Sequence, residues 1–186
     1  MTSEDDAWTI EAEEVVFAAQ PFLDVRRQRV RTTTGQVVDD YYQVTFPDFA
    51  IGCDITTDRR IITLWQYKHG ARASGLTFPA GIIEPGEPAE DAMRRELLEE
   101  TGYTAGVAHF LGRYVCNSNQ GAGWAYLFVL QDCSPVAEAA SGDLETMALR
   151  LMAPGEVDAA VRAGQVMGLA HLAVWMAARQ TYGDRF

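Results

Sequence analysis

The sequence predicts an α/β (α+β) fold: a mixed β-sheet flanked by helices and preceded by a β-rich N-terminal extension. Three observations carry this prediction. Short β-branched and aromatic runs separated by turn residues fill the chain as far as Tyr67, a glutamate-rich helical segment sits near the centre, and two more helical segments close the sequence.

After a polar N-terminal stretch, residues 22–30 and 36–46 read as strands around Thr32-Thr33-Thr34-Gly35, a hairpin connection. Residues 50–55 and 60–67 flank Thr57-Asp58-Arg59 and read as a second pair of extended segments. Pro88 suits a first helical turn, residues 89–100 are rich in helix-favouring Ala, Met, Leu, Glu and Arg, and Thr101-Gly102 supplies the stop. Residues 107–115 and 124–130 are expected strands, with the small and polar residues 117–123 as the loop between them. A further strand should end near Met152. Residues 154–163 and 166–179 have helical composition, and Val166, Leu169, Leu172, Ala173 and Met176 form a stripe expected to pack into the core.

The 186-residue length fits one domain with an appendage, and 48% hydrophobic content is that of a globular protein. We place the N-terminal extension at residues 1–45 and the main domain at 46–186. With Asp+Glu at 26 against Lys+Arg at 15, the net charge of -11 excludes an extended nucleic-acid footprint, although metal ions can reverse the sign of an acidic pocket toward a small polyphosphate. Cys53, Cys116 and Cys133 lack metal or disulfide spacing, the start is acidic, and no apolar run reaches membrane-spanning length. A cytoplasmic protein without a membrane partner is the expectation.

The chemistry concentrates in Gly81-Ile82-Ile83-Glu84-Pro85-Gly86-Glu87 and, seven residues later, Arg95-Glu96-Leu97-Leu98-Glu99-Glu100-Thr101-Gly102-Tyr103. At about 100° per residue, Glu99 and Glu100 fall roughly 60° and 40° to either side of Glu96. Three carboxylates on one helix face repel each other until cations arrive, and hard oxygen donors favour Mg2+ or Mn2+. Pro85-Gly86 supports a sharp turn, Gly81 permits close backbone approach, Glu87 sits near the helix N-terminus, and Arg95 is suited to clamp a carboxylate. A pair of glutamates at this spacing would by itself be an ordinary solvated face.

The whole pattern resembles the signature of the Nudix hydrolase family, G-x5-E-x7-R-E-U-x-E-E-x-G-U, filled by Gly81, Glu87, Arg95, Glu96, Leu97, Glu99, Glu100, Gly102 and Tyr103. Tyr103 is aromatic where an aliphatic residue is commoner. A broader similarity to the ADP-sugar (ADP-ribose) diphosphatase branch runs from about Phe22 to Val157, through Arg29-Val30, Val38-Asp39-Asp40-Tyr41-Tyr42, Gln66-Tyr67-Lys68 and Phe78-Pro79-Ala80-Gly81. The resemblance implies a Nudix α/β/α sandwich, a homodimer formed through the N-terminal extension, and metal-dependent hydrolysis of a nucleoside diphosphate sugar to a nucleoside monophosphate and a sugar phosphate. It implies Glu96 and Glu100 as principal metal ligands, with Glu99 as a further ligand or catalytic water contact and the Ala80 carbonyl as a backbone ligand.

The same resemblance points to Glu145, in Asp143-Leu144-Glu145, as the catalytic base, against the alternative of a solvated loop acid. Lys68 stands where the branch often has Arg, either touching phosphate or simply solvated. Trp124 either stacks on a base or packs in the core. His69, His109 and His171 have no ligand spacing and receive no chemistry. Two departures bear on the sugar pocket: Thr77 replaces a frequent Glu, and residues 117–123 lack the branch's proline-containing loop. Two other functions stay open, namely a Nudix hydrolase of another nucleotide or coenzyme, and a non-catalytic nucleotide-binding module.

Overall fold

The computed structural model describes residues 7–142 and 146–183. These form two compact units, one reaching Pro47 and including Val115–Trp124, the other comprising Asp48–Tyr114 and the chain from Ala125 onward.

The first unit is a three-stranded antiparallel sheet of β1 (Thr9–Ala19), β2 (Leu23–Arg31) and β3 (Val37–Thr45). The expected hairpin connects β2 to β3, with Thr32 N–H donating to the Gln36 carbonyl and Gly35 at φ 83°. β1 is a correction to the polar N-terminal stretch expected from sequence. Its Glu11 and Glu13 pair with Arg29, Arg31 and Arg26 on β2, whereas every β1 residue except Ala19 is exposed, so no apolar face announces the strand.

The second unit is built on β4 (Phe49–Thr56), β5 (Ile61–Lys68), β6 (Ala73–Thr77), β7 (Ala80–Ile82), α1 (Ala89–Thr101), β8 (Tyr103–Thr104), β9 (Val107–Val115), β10 (Trp124–Pro135), β11 (Met147–Met152), α2 (Pro154–Arg162) and α3 (Leu169–Tyr182). The sheet runs β11-β5-β4-β10-β8, with β6 on β5, β7 on β4 and β9 on β10. β4 and β10 are parallel while β5 and β7 are antiparallel to β4, which makes the sheet mixed.

Alternation along β4 divides the core between the two faces of this sheet. Ile51, Cys53 and Ile55 pack with Leu127 and Val129 against Val157 of α2 and Val174, Trp175 and Ala178 of α3. Ala50 packs with Ile62, Phe128 and Leu130 against Ala92, Met93 and Leu97 of α1. The layers are therefore α/β/α, as the sequence predicts. Cys53 and Cys133 are buried, Cys116 is exposed, and all three are free thiols.

The stripe read for the last helix is corrected in part. Val166, which precedes α3, packs against the core as expected, but Leu169 is 83% and Met176 54% exposed, and the buried face of α3 is instead Val174, Trp175 and Ala178. Trp175 decides the rotation: its ring stacks on Phe78 and its Nε1–H donates to Asp158, so the largest side chain takes the core and Leu169 and Met176 face outward. Among the described residues no helix is long and apolar enough to cross a membrane.

Candidate metal-binding and catalytic site

β7 pairs in antiparallel register with β4, Ala50 opposite Gly81 and Ile51 opposite Ala80. The chain then turns through Gly86 at φ 84°, where Glu87 N–H donates to the Glu84 carbonyl, and enters α1 from an extended Pro88. Glu90 and Asp91 in the first turn suit the positive end of the helix dipole. At the other end Gly102 adopts the left-handed conformation and donates to the Leu98 carbonyl. A Cβ there would lie 2.1 Å from the Ala137 carbonyl oxygen, so the close approach as well as φ demands glycine.

Arg95 organises the acidic side of this helix. Its Nε and Nη2 donate to the two oxygens of Glu87 at 3.0 and 2.9 Å, its Nη1 to Glu96 Oε1 at 2.6 Å and Glu99 Oε2 at 3.1 Å, and Nη2 also to the Ile82 carbonyl. The guanidinium therefore clamps three carboxylates. Bonding to Glu87 first, then to Glu96, pushes the arginine pKa up, while Arg95, then the Glu84 N–H, holds Glu87 below the usual carboxylate range. Glu96 lies over Gly81, and a Cβ on Gly81 would come within 1.9 Å of Glu96 Cδ. Glu100 is 7% exposed and accepts from Ala80 N–H at 3.0 Å.

This donor set consists of hard carboxylate oxygens beside a glycine whose missing side chain is the space that Glu96 fills, which fits Mg2+ or Mn2+ better than a soft ion. Among the described residues, no three His, Cys, Asp or Glu side chains converge on one point. Arg95 draws Glu96 and Glu99 to itself, and the Ala80 amide holds Glu100.

Two groups nearby, one buried and one half-buried, received no role from the sequence. Asp54 on β4 is fully buried, and neither carboxylate oxygen has a hydrogen-bond partner among the described residues. Burial, then the charge of Glu100, pushes its carboxyl well up toward the neutral form. His171 on α3 accepts from Phe78 N–H through Nδ1 at 3.0 Å and stacks on the Phe78 ring. Burial, then the charge of Lys68, lowers its pKa to about 4. It anchors the chain two residues before Ala80, a role that a search for ligand spacing passes over.

The family model of the NUDIX domain matches residues 47–172. The chain belongs to the Nudix family. It is 33% identical over 86 residues to the ADP compounds hydrolase NudE of Escherichia coli, covering 46% of this chain and 45% of that protein. It is 48% identical over 48 residues to a Mus musculus ADP-sugar pyrophosphatase, covering 26% and 22% respectively. The chain thus spans less than half the length of these curated relatives. A crystal structure of an ADP compounds hydrolase shares the fold at TM-score 0.81 and 20% identity, covering 96% of this chain and 95% of the other.

Within the Nudix domain the structure brings together Ala80, Gly81, Glu87, Arg95, Glu96, Glu99 and Glu100, and Gly102 closes their helix. Lys68 ends β5 and lies near enough to His171 to disfavour its protonation. Trp124 opens β10, is half-buried, and groups with the first unit. Thr77 is fully buried, accepting from Gln66 Nε2 and donating to the Leu64 carbonyl. Glu145 lies outside the described residues.

Proposed function

We propose that this protein is a metal-dependent Nudix hydrolase that cleaves a nucleoside diphosphate linked to a sugar, ADP-ribose-like, into a nucleoside monophosphate and a sugar phosphate. The observation that carries the reading is the carboxylate set of Glu96, Glu99 and Glu100, ordered by Arg95 and the Ala80 amide around Gly81. The names of the relatives, ADP compounds hydrolase and ADP-sugar pyrophosphatase, support the substrate class.

Glu96 and Glu100 are assigned as principal ligands of Mg2+ or Mn2+, with Glu99 as a further ligand or water contact and the Ala80 carbonyl completing the set. Bound divalent metal supplies charge neutralisation at the diphosphate and a lowered water pKa. Arg95 fixes the carboxylate orientations, Lys68 contacts phosphate, Trp124 stacks on the base, and Glu145 takes the proton from the attacking water. The same reading gives a small-molecule substrate, a homodimer built through the N-terminal extension, and a cytoplasmic location.

Turnover of an ADP-ribose and nucleotide-sugar panel in ¹⁸O-labelled water with Mg2+ or Mn2+ tests this. Label should enter one monophosphate product, and excess chelator should abolish turnover. Labelled product formed at an undiminished rate in chelator would remove the metal mechanism.

A second reading, a Nudix hydrolase of another nucleotide or coenzyme, is favoured by Thr77. Its hydroxyl is committed to Gln66 and the Leu64 carbonyl, so the position where the ADP-sugar branch often carries Glu offers no side-chain group for a sugar. Preference for a different member of the panel would select this reading. Ligand binding without any turnover would select a non-catalytic module.

A further inference from the structure

We propose that Asp54 is a positioning residue for Glu100: folded over Gly52 beneath α1, its carboxyl holds the Glu100 side chain, through a bridging water, in the orientation that a divalent cation requires. The proposal rests on the metal-dependent reading above and adds a residue that no part of the helix motif contains.

The geometry starts from strand alternation. Gly52 and Asp54 follow Ala50 at two-residue steps along β4, and so face the α1 layer. A Cβ on Gly52 would lie 2.3 Å from Asp54 Oδ1 and 2.9 Å from Met93 Cε. The missing side chain at residue 52 is therefore the space into which the Asp54 carboxyl folds, directly under Met93. Met93, Leu97 and Glu100 recur at four- and three-residue steps and share one face of α1. Asp54 thus meets the same helix face that carries Glu100, and the Glu100 charge is the neighbour that acts on it.

Energetics make the arrangement informative. A buried carboxyl with no hydrogen-bond partner opposes folding, and most buried polar groups in proteins are satisfied. An apolar residue at 54 would complete the cluster of Ala50, Ile62, Met93, Leu97 and Leu130. What the acid provides instead is a polar group in the layer behind Glu100, whose Oε2 accepts from the Ala80 amide. A polar group behind the carboxylate adds a hold to that of the amide and narrows its rotation. Outer partners of this kind typically alter metal affinity by roughly 10- to 100-fold.

The test uses the full chain and Mn2+ alone, with free Mn2+ read by electron paramagnetic resonance. Parallel melting curves are taken in chelator. Asp54→Leu should bind Mn2+ at least about 10-fold more weakly while melting at or above the wild-type temperature, because an unsatisfied buried group has been removed. Asp54→Asn, which keeps polar atoms in place, should remain within about threefold of wild type.

Opposite signs for stability and metal affinity are the signature a purely structural residue cannot give. A Leu variant that binds Mn2+ like wild type, that melts lower, or that fails to fold overturns the proposal, as does an Asn variant no better than Leu. Wild-type protein that binds no Mn2+ would instead overturn the metal-dependent reading itself, with this proposal along with it.

Discussion

Gly81→Ala isolates the contact between β7 and the glutamate helix with a single methyl group. The new Cβ would stand 1.9 Å from Glu96 Cδ, 2.0 Å from Oε1 and 2.3 Å from Oε2, whereas ordinary contact lies at 3.4–4 Å. Gly81 has no left-handed φ, so the backbone tolerates alanine and the clash is the whole perturbation. Glu96 must retreat by roughly 1.5 Å, which breaks its 2.6 Å bond to Arg95 Nη1. Overpacking of this kind destabilises by roughly 1–3 kcal/mol, and at this chain length each kcal/mol lowers the melting temperature by roughly 2–4 °C. A displacement of about 1 Å at a reacting centre lowers turnover by about 10²-fold.

The decisive assay is a double-mutant cycle with Glu96→Ala, measured by denaturant melts in chelator. Without the Glu96 carboxylate the three atoms nearest the methyl are gone, so Gly81→Ala should become neutral or stabilise by about 0.4–1 kcal/mol through the unfolded chain. Equal destabilisation in both backgrounds would show that the methyl acts on something other than Glu96.

His171 gives the protein an acid-sensitive anchor. Its folded pKa of about 4 lies below the unfolded value of 6.5, so the unfolded chain takes up a proton that the folded chain refuses. Stability is complete above pH 6.5 and is lost progressively as pH falls toward 4, by about 3 kcal/mol in all. Denaturant melts of wild type and His171→Gln at pH 7 and 4.5 should show a smaller acid loss in the variant, and equal losses would refute the assignment. Lys68→Ala should raise KM roughly 10-fold with little change in kcat, as expected for a lost charge-assisted phosphate contact, and an unchanged KM would leave Lys68 out of the site. Glu145→Gln should lower kcat by about 10²-fold or more while Mn2+ affinity stays near wild type, and a wild-type kcat would exclude it as the base.

The sequence discloses α1 and its surroundings because that chemistry is local. Pro88, the helix-favouring run and Gly102 fix the ends, and helical spacing puts Glu99 one turn from Arg95, whereas the bonds from Arg95 to Glu87 ahead of the helix and to the adjacent Glu96 come from the fold. Features that depend on distant residues were less legible. β1 carries no buried face, and its pairing is decided by arginines on β2. The rotation of α3 is set by Trp175 meeting Phe78 and Asp158, partners that periodicity within the helix cannot name. Asp54 reads in sequence as one acid in an apolar strand two residues after a glycine, and only the packing of β4 under α1 turns that pair into a buried carboxyl with its own space.

The segment between Gly81 and Gly102 is fastened at both ends. Gly81 is held in register opposite Ala50, and the Gly102 carbonyl accepts from both Val136 and Ala137 N–H. Each residue of α1, from Ala89 to Thr101, turns the helix by about 100°. Inserting or deleting one residue within α1 ahead of Glu96 therefore swings Glu96 and Glu100 away from β7, and the about seven residues that would restore their facing would lengthen the helix by about 10 Å against fixed ends. Heritable change can accumulate here in side-chain content, at Glu90, Asp91 or Arg94 for instance, but the length of the segment acts as a ruler that variation cannot redraw.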